Sequence, residues 1–571
     1  MRTIHRTYVG WFLFLMVVCT GFAARGAPVP EVAKHIPANS VYVVFFSNPG
    51  EALKNLDSVL GRFKSLSPEL DLARAGQQIE QEIGVNLLTR AGLESVGIDP
   101  AGNSAIYGPD IFNGPVVAMA LKDANLLKQK FIALIQQKNP NYKPKPRMKS
   151  GVEIYEIEGG YIGFSGSWCL LLPPESIRKN TKDKALLAFF KPGRKLAATR
   201  AFKRSVAEMP DEAHAWVYFD IKRMMGGWMK FRKTAMKEVR KYAKSLPPDR
   251  RKKILADLKK DLAHEKKAFL KWKQALGFVE SYAASLSFLP SAVRWKDALM
   301  VKPAGARVLK KFFPAQASAP AFHDGLAEPA VMGGWFSVDL TALLDHFASI
   351  PVYYKTTLKQ AMQQEGRGFK QDTKLDLFKD VLAIWKGPAA CYLLTPPDVK
   401  PDPKMSVDNQ IASLVRFACV AKTPKPKKTA SVIKRFNQFV TSRMKLDTRD
   451  ISGASVSIFK PEPGVTLSWG LKNDAAFIAF GEGTAESLAK VLPENAWAGD
   501  TATGEVGSAN LDFAVLTESI SSAVAKGLGD AQFRMGIWPM AKQVLSKMGK
   551  LTFSARLLPA GLVTTGSLDL R

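Results

Sequence analysis

Two distant stretches of the chain open on the same pattern of apolar and polar positions. Val41-Tyr42-Val43-Val44-Phe45-Phe46 is an apolar run of strand length, and Leu53, Leu56, Leu60 and Phe63 follow it at helical spacing. Val331 to Val338 is a second such run, followed by Leu340, Leu343, Leu344, Phe347 and Ile350. Apolar residues at i, i+3/i+4 bury one face of a helix, so each stretch predicts a strand feeding a helix. The parallel continues downstream. Val116 to Lys122 (VVAMALK) and Val415 to Lys422 (VRFACVAK) each lead into an amphipathic helix, through Leu127, Phe131 and Leu134 or through Val432, Phe436 and Phe439. Ser150-Gly151 and Ser452-Gly453 then read as turns opening alternating strands, with further strands ending at Trp168 to Leu172 and at Ala475 to Phe480. Ala215 to Ile221 (AWVYFDI) matches Ala509 to Val515 (ANLDFAV), and Ala283 to Pro290 matches Thr552 to Pro559.

The shared order predicts an internal duplication with a period of roughly 270–310 residues. Groups of strands joined by short links and separated by helices predict an α+β class. The expected architecture is two tandem copies of an antiparallel sheet with helices packed on one face. The copies are expected at 27–301 and 330–571. Between them, 302–329 reads as a linker with a short helix (Ala306 to Phe313) and a Pro/Ala-rich stretch.

Ile36-Pro37-Ala38-Asn39-Ser40-Val41, Gly84-Val85-Asn86-Leu87-Leu88 and Leu93 to Pro100 (LESVGIDP) together resemble a family of exported bacterial proteins of unknown function. That family carries an "IP-x-[DN]-[ST]-x-apolar" start and a "G-[IL]-D-P" turn before a strand. Leu375-Asp376-Leu377 with Val381 to Gly387 looks like the second-copy equivalent. The resemblance implies an envelope location and brings no catalytic residues with it.

Residues 1–26 read as a signal peptide. Arg2 and Arg6 precede an apolar run from Tyr8 to Phe22, and Ala24-Arg25-Gly26 offers a small-x-small site before Ala27. Cuts after Ala23 or Ala27 also fit. The run is shorter than the roughly 20 residues of a spanning helix, so an uncleaved anchor is the alternative. Cys19 follows Val17 and Val18, where a lipidated cysteine normally follows a small residue. The expected location is therefore periplasmic or extracellular. Downstream, Cys169, Cys391 and Cys419 form no CxxC pair. They read as buried thiols in strands, with Cys391 and Cys419 able to pair.

Charge changes the picture most. The chain of 571 residues carries 81 Lys and Arg against 51 Asp and Glu, a net charge of +30. From Lys222 to Ala275 there are 19 basic and 5 acidic residues, so one short stretch holds nearly half the excess. Met225, Trp228, Ala235, Val239, Tyr242 and Leu246 form one helical stripe. Pro247-Pro248 breaks it, with Asp249 as the expected N-cap of the next helix. Leu255, Leu258, Leu262, Phe269, Trp272 and Leu276 form the second stripe. This predicts a basic helical hairpin over 222–276, longer than its second-copy counterpart. The candidate anion-binding residues are Lys230, Arg232, Lys233, Lys237, Arg240, Lys241, Lys244, Arg250, Arg251, Lys252, Lys253, Lys259, Lys260, Lys266 and Lys267. A solvated helix face is the plainest reading of such a run. Its sharper alternative is docking on an anionic envelope surface, whether phospholipid headgroups, lipopolysaccharide or wall polymer. Nucleic acid is disfavoured, because export removes it and the aromatics follow the apolar stripe.

Chemistry is not legible. Gly163-Phe164-Ser165-Gly166-Ser167 lacks the last glycine of a nucleophile elbow and sits between strands. Gly481-Glu482-Gly483 lacks the βαβ setting of a phosphate loop. His35, His214, His264, His323 and His346 have no metal-ligand spacing. Asp372, Asp376 and Asp380 share i, i+4 spacing but are interleaved with Lys374 and Lys379, and read as a solvated face. No catalytic residue, cofactor or metal is therefore expected. The sequence reads as a non-enzymatic binding or scaffolding protein. Its alternatives are a carrier of a hydrophobic ligand in a sheet–helix cleft and a hydrolase with a dispersed site.

Overall fold

The structure, a computed structural model, describes residues 29–64, 70–108, 115–138, 140–141, 143, 145–157, 160–172, 182–314, 330–353, 356–384, 386–397, 405, 407–494, 496–497, 504–526 and 533–571. The expected leader with Cys19, His323 and most of the expected linker lie outside the described residues. The chain forms two compact units. The first comprises 1–266, 277–302 and 563–566, and the second 267–276, 303–562 and 567–571.

Among the described residues the first unit contains ten strands: β1 (Tyr42–Ser47), β2 (Asn103–Gly108), β3 (Val116–Ala120), β4 (Arg147–Lys149), β5 (Val152–Ile157), β6 (Gly160–Ser165), β7 (Trp168–Leu172), β8 (Ala215–Asp220), β9 (Val279–Leu289) and β10 (Ala292–Val301). Their lateral order is 4-5-6-7-3-2-1-8-9-10, antiparallel throughout. The helices are α1 (Pro49–Gly61), α2 (Leu72–Ile83), α3 (Arg90–Ser95), α4 (Ala124–Lys138), α5 (Lys182–Phe190), α6 (Arg200–Val206), α7 (Ile221–Lys244) and α8 (Pro248–Ala275), of which residues 267–275 belong to the second unit.

The second unit contains β11 (Ala330–Asp339), the small hairpin β12 (Pro351–Tyr353) and β13 (Thr356–Thr357), β14 (Lys386–Leu394), β15 (Arg416–Lys422), β16 (Leu446–Ile451), β17 (Ala454–Glu462), β18 (Val465–Lys472), β19 (Ala475–Phe480), β20 (Glu505–Asp512) and β21 (Met548–Leu558). The last strand, β22 (Gly561–Leu570), contributes 563–566 to the first unit. The helices are α9 (Pro303–Phe312), α10 (Leu340–Phe347), α11 (Leu358–Thr373), α12 (Val407–Leu414), α13 (Pro426–Thr441), α14 (Thr484–Val491), α15 (Phe513–Ala525) and α16 (Trp538–Leu545). The lateral order is 16-17-18-19-15-14-11-20-21, again antiparallel. With the β12–β13 hairpin set aside, the strands follow the same chain-order ranks as β4 to β9 of the first unit.

Local chemistry repeats with the order. Ser150 and Gly151 before β5, like Ser452 and Gly453 before β17, both adopt positive φ. Two such residues in succession make the two-residue hairpin turn whose twist suits the flanking strands. Asp220 at the end of β8 accepts from the Arg223 N–H at 2.9 Å. Asp512 at the end of β20 accepts from Ala514 and Val515 N–H at 2.9 and 3.2 Å. Each is the N-cap of the next helix. The shared cap sets Gly507–Asp512 against Ala215–Asp220, two residues away from the match read in the sequence. A slip of two keeps every side chain on its face.

The α+β class holds, but helices cover both faces of each sheet rather than one. In the first unit Phe45 stacks on Trp216, with centroids 4.1 Å apart, and meets Phe202 of α6. Trp168 meets Phe189 of α5. On the opposite face Phe164 and Cys169 pack with Met119, Leu127 and Phe131, the last two from α4. In the second unit Phe477 and Ala479 pack on Leu488 and Ala489 of α14. Trp469, on the other face with Ile478, meets Phe436 of α13 and donates to Asn437 Oδ1 at 2.8 Å. The physical reason is that the central strands are apolar on both sides, so each side needs a cover.

Cys391 and Cys419 stand directly opposite each other on β14 and β15, with Cα atoms 4.1 Å apart, and form a disulfide. The expectation of buried thiols is corrected for this pair. It holds for Cys169, a free buried cysteine whose thiol is pushed up to about 12 by burial.

Candidate anionic-surface site

The basic stretch folds as predicted into two long helices, α7 and α8, joined at Ser245 to Pro247. Asp220 caps the start of α7 and pairs with Arg223 at 3.3 Å. Arg223 also donates to the Ala38 carbonyl. Lys241 and Lys244 sit in the last turn of α7, where cations complement the negative end of the helix. Pro248 is the first residue of α8, where a missing N–H costs nothing. Asp249 lies inside the first turn of α8 rather than at its N-cap.

Among the candidate cations, Lys233, Lys237, Arg240, Lys241, Lys244, Arg250, Arg251, Lys252, Lys253, Lys259, Lys260, Lys266 and Lys267 are all exposed. Lys230 and Arg232 lie on α7, and their side chains are outside the described set. Arg251 also holds the turn together, since its guanidinium donates to the Lys244 and Leu246 carbonyls at 3.0 and 3.2 Å and closes the end of α7. Arg250, Lys252 and Lys253 have the opposite situation. Arg250 stands in the first turn of α8, the positive end of its dipole, with Asp249 as the one acid there, and Lys252 and Lys253 follow in the second turn.

The apolar stripe is rotated from its sequence reading. Among the described side chains of α7, Met236 and Ala243 are buried and Val239 is half-buried, as is Leu246 just beyond the helix. This is i, i+3, i+7, i+10 spacing, one narrow face. Trp228 and Tyr242, read as core, are 43% and 63% exposed. On α8, Leu255, Leu258 and Phe269 are half-buried, and Leu270 and Trp272 are exposed. The surface of these helices thus mixes cations with aromatic and aliphatic side chains. The signal that separates them is phase: Trp228 and Tyr242 are two heptads apart, one position ahead of the heptad that holds Met236 and Ala243.

The other sequence candidates carry ordinary duties. Ser165 ends β6 in a strand–turn–strand hairpin through Gly166. Asp372, Asp376 and Asp380 do not share a helix face, because α11 ends at Thr373 and Lys374 turns left-handed. They lie within 3.6, 3.5 and 3.5 Å of Arg443, Lys370 and Arg435 respectively. Among the described residues no group of three His, Cys, Asp or Glu is placed to hold a metal ion. His214 Nδ1 accepts from the Phe288 N–H at 3.0 Å, and burial lowers its pKa. An apolar pocket of about 220 Å³ in the first unit is lined by Phe46, Leu93, Ile98, Ile106, Val117 and Met119. It is smaller than the roughly 300–1,000 Å³ of a typical small-molecule site. No helix of the described residues is long and apolar enough to cross a membrane.

No family model and no curated protein matches the chain. Solved structures similar to it include crystal forms I and III of TP0453, at 9% and 10% identity and TM-scores of 0.23 and 0.22. Each match covers 51% of this chain, and 88% and 90% of the respective TP0453 chains. A likeness of that degree establishes neither a shared fold nor a shared role.

Proposed function

We propose that this is an exported envelope protein, built as a tandem duplication, that docks on an anionic surface through the tip of the α7–α8 hairpin. The observation that carries the reading is Arg250, Lys252 and Lys253, exposed at the positive end of α8. Arg250, in the first turn, opposes the helix dipole by about 0.3–1 kcal/mol. A surface of closely spaced phosphates or carboxylates reverses that penalty and gains about 1 kcal/mol per cation. Three such contacts therefore amount to roughly a hundredfold in affinity at low salt. Exposed Tyr242 on the same hairpin suits the boundary between headgroups and acyl chains.

Two features support the wider reading. The Cys391–Cys419 disulfide fits an oxidising compartment, as does the leader pattern of residues 1–26. Equal strand ranks, paired Ser-Gly turns and paired Asp caps support the duplication.

The test is co-sedimentation with phosphatidylglycerol vesicles, lipopolysaccharide and a wall polymer, each at low and high salt. The expected result is binding to at least one polyanion at low salt and release once the Debye length falls to about 3 Å near 1 M salt. The variant R250Q/K252Q/K253Q should bind at least tenfold more weakly. Absence of binding to all three, or full binding by the variant, overturns the proposal.

A further inference from the structure

Among the described residues, six large hydrophobic side chains are more than half exposed: Met148, Tyr242, Leu270, Met535, Ile537 and Met540. All but Met148 fall in two places, the β8–β9 connection and the β20–β21 connection, which hold the same rank in the two strand orders. Scattered exposed hydrophobics need no explanation, but three within six residues form a patch.

In the second unit the patch is built deliberately. Trp538 is buried at the first turn of α16 and fixes the segment to its own unit. α16 lies against α15. Ile537 and Met540 are three residues apart, one turn along the same side, and Met535 precedes them in a short wide turn. With Trp538 turned inward, these three point to solvent at 55%, 67% and 78% exposure. Arg534 and Lys542, both exposed, flank the patch. Apolar side chains between cations are the arrangement of an interfacial segment: the cations suit lipid phosphates and the tips suit the acyl boundary. Methionine is unbranched and polarizable, and so tolerates an irregular partner.

We infer that Met535, Ile537 and Met540 form a wedge that inserts into the acyl boundary of an anionic phospholipid bilayer. The inference rests on the envelope-surface reading for its setting but on residues of the other unit, and it selects lipid among the polyanions, since a wall polymer offers no apolar layer. The experiment uses the full chain and vesicles of phosphatidylcholine with or without phosphatidylglycerol. An environment-sensitive fluorophore on a cysteine introduced at Met535 should shift to the blue with the anionic vesicles and be quenched by shallow nitroxide lipids. The same label at exposed Ser546 should do neither. M535S/I537S/M540S should lose at least tenfold in vesicle affinity. A label at Met535 that stays in water while the protein is vesicle-bound overturns the wedge and leaves the hairpin reading standing. Binding that survives R250Q/K252Q/K253Q but not the serine triple variant keeps the wedge and removes the hairpin. If the serine variant instead converts a dimer to a monomer without lipid, the patch is a self-contact and the inference fails.

Discussion

His214 is buried at the end of β8, with Asn55 near one ring nitrogen and the Phe288 N–H on the other. An Nδ1 that accepts a hydrogen bond is unprotonated, and burial lowers the pKa further, against the pull of Glu51 and Glu212. Above about pH 6.5 the ring is neutral folded or unfolded; below it, only the unfolded chain takes up the proton freely. Stability therefore falls as pH drops through that range, by about 1.4 kcal/mol per pKa unit. Asp297 has the opposite sign. Burial pushes it up to about 6 against a donor from Thr564 at 2.6 Å, so the native state holds a proton that the unfolded state has lost. Its stabilising proton is lost as pH rises from about 4 to 6. In urea titrations, H214N keeps an acceptor for Phe288 and should flatten the fall in stability between about pH 7.5 and 5.5. D297N should raise stability at pH 7.5, by up to about 3 kcal/mol, with the gain gone near pH 4. Unchanged slopes in both variants would contradict these assignments.

The hairpin shows what an element can reveal in sequence and what it cannot. Its length, its break at Pro247-Pro248 and its charge were all readable, because helix periodicity and proline chemistry are local. The buried face was misjudged by one position, since Trp228 and Tyr242 are apolar but amphipathic, and only packing decides whether such rings turn inward. Helices on both sheet faces were missed for a related reason: an apolar strand does not say which helix covers which side. The candidate site lies at a helix end, and there the dipole argument makes a sharp prediction. R250E/K252E/K253E replaces a cation by an anion in the first turn of α8 at Arg250, so the helix should gain about 0.3–1 kcal/mol there. The same variant should lose polyanion binding. R251A, which strips two carbonyls of their donor, should instead destabilise by about 1 kcal/mol. Thermal melts and co-sedimentation on the same samples separate the two outcomes. Cations whose removal costs both stability and binding would mark them as structural.

At the scale of the molecule, strand order was legible because each strand carries its own pattern, whereas lateral pairing depends on contacts far apart in sequence. The disulfide shows the limit. Cys391 and Cys419 are 28 residues apart in strands that read as neighbours, and nothing in their spacing says that these two residues stand in register. Once formed, the link matters to one unit only. A closed loop of that size restricts the unfolded chain by about 3–4 kcal/mol on the chain-entropy account. In a unit of this size each kcal/mol moves the melting temperature by about 2–4 °C. Calorimetry should therefore show two transitions. Reductant, or the C391A/C419A variant, should lower one of them by about 10 °C and leave the other in place. In the D297N background, acidification to about pH 5.5 should lower chiefly the other transition, because His214 belongs to the first unit and the disulfide to the second. Two transitions that move together under both treatments would show that the units unfold as one.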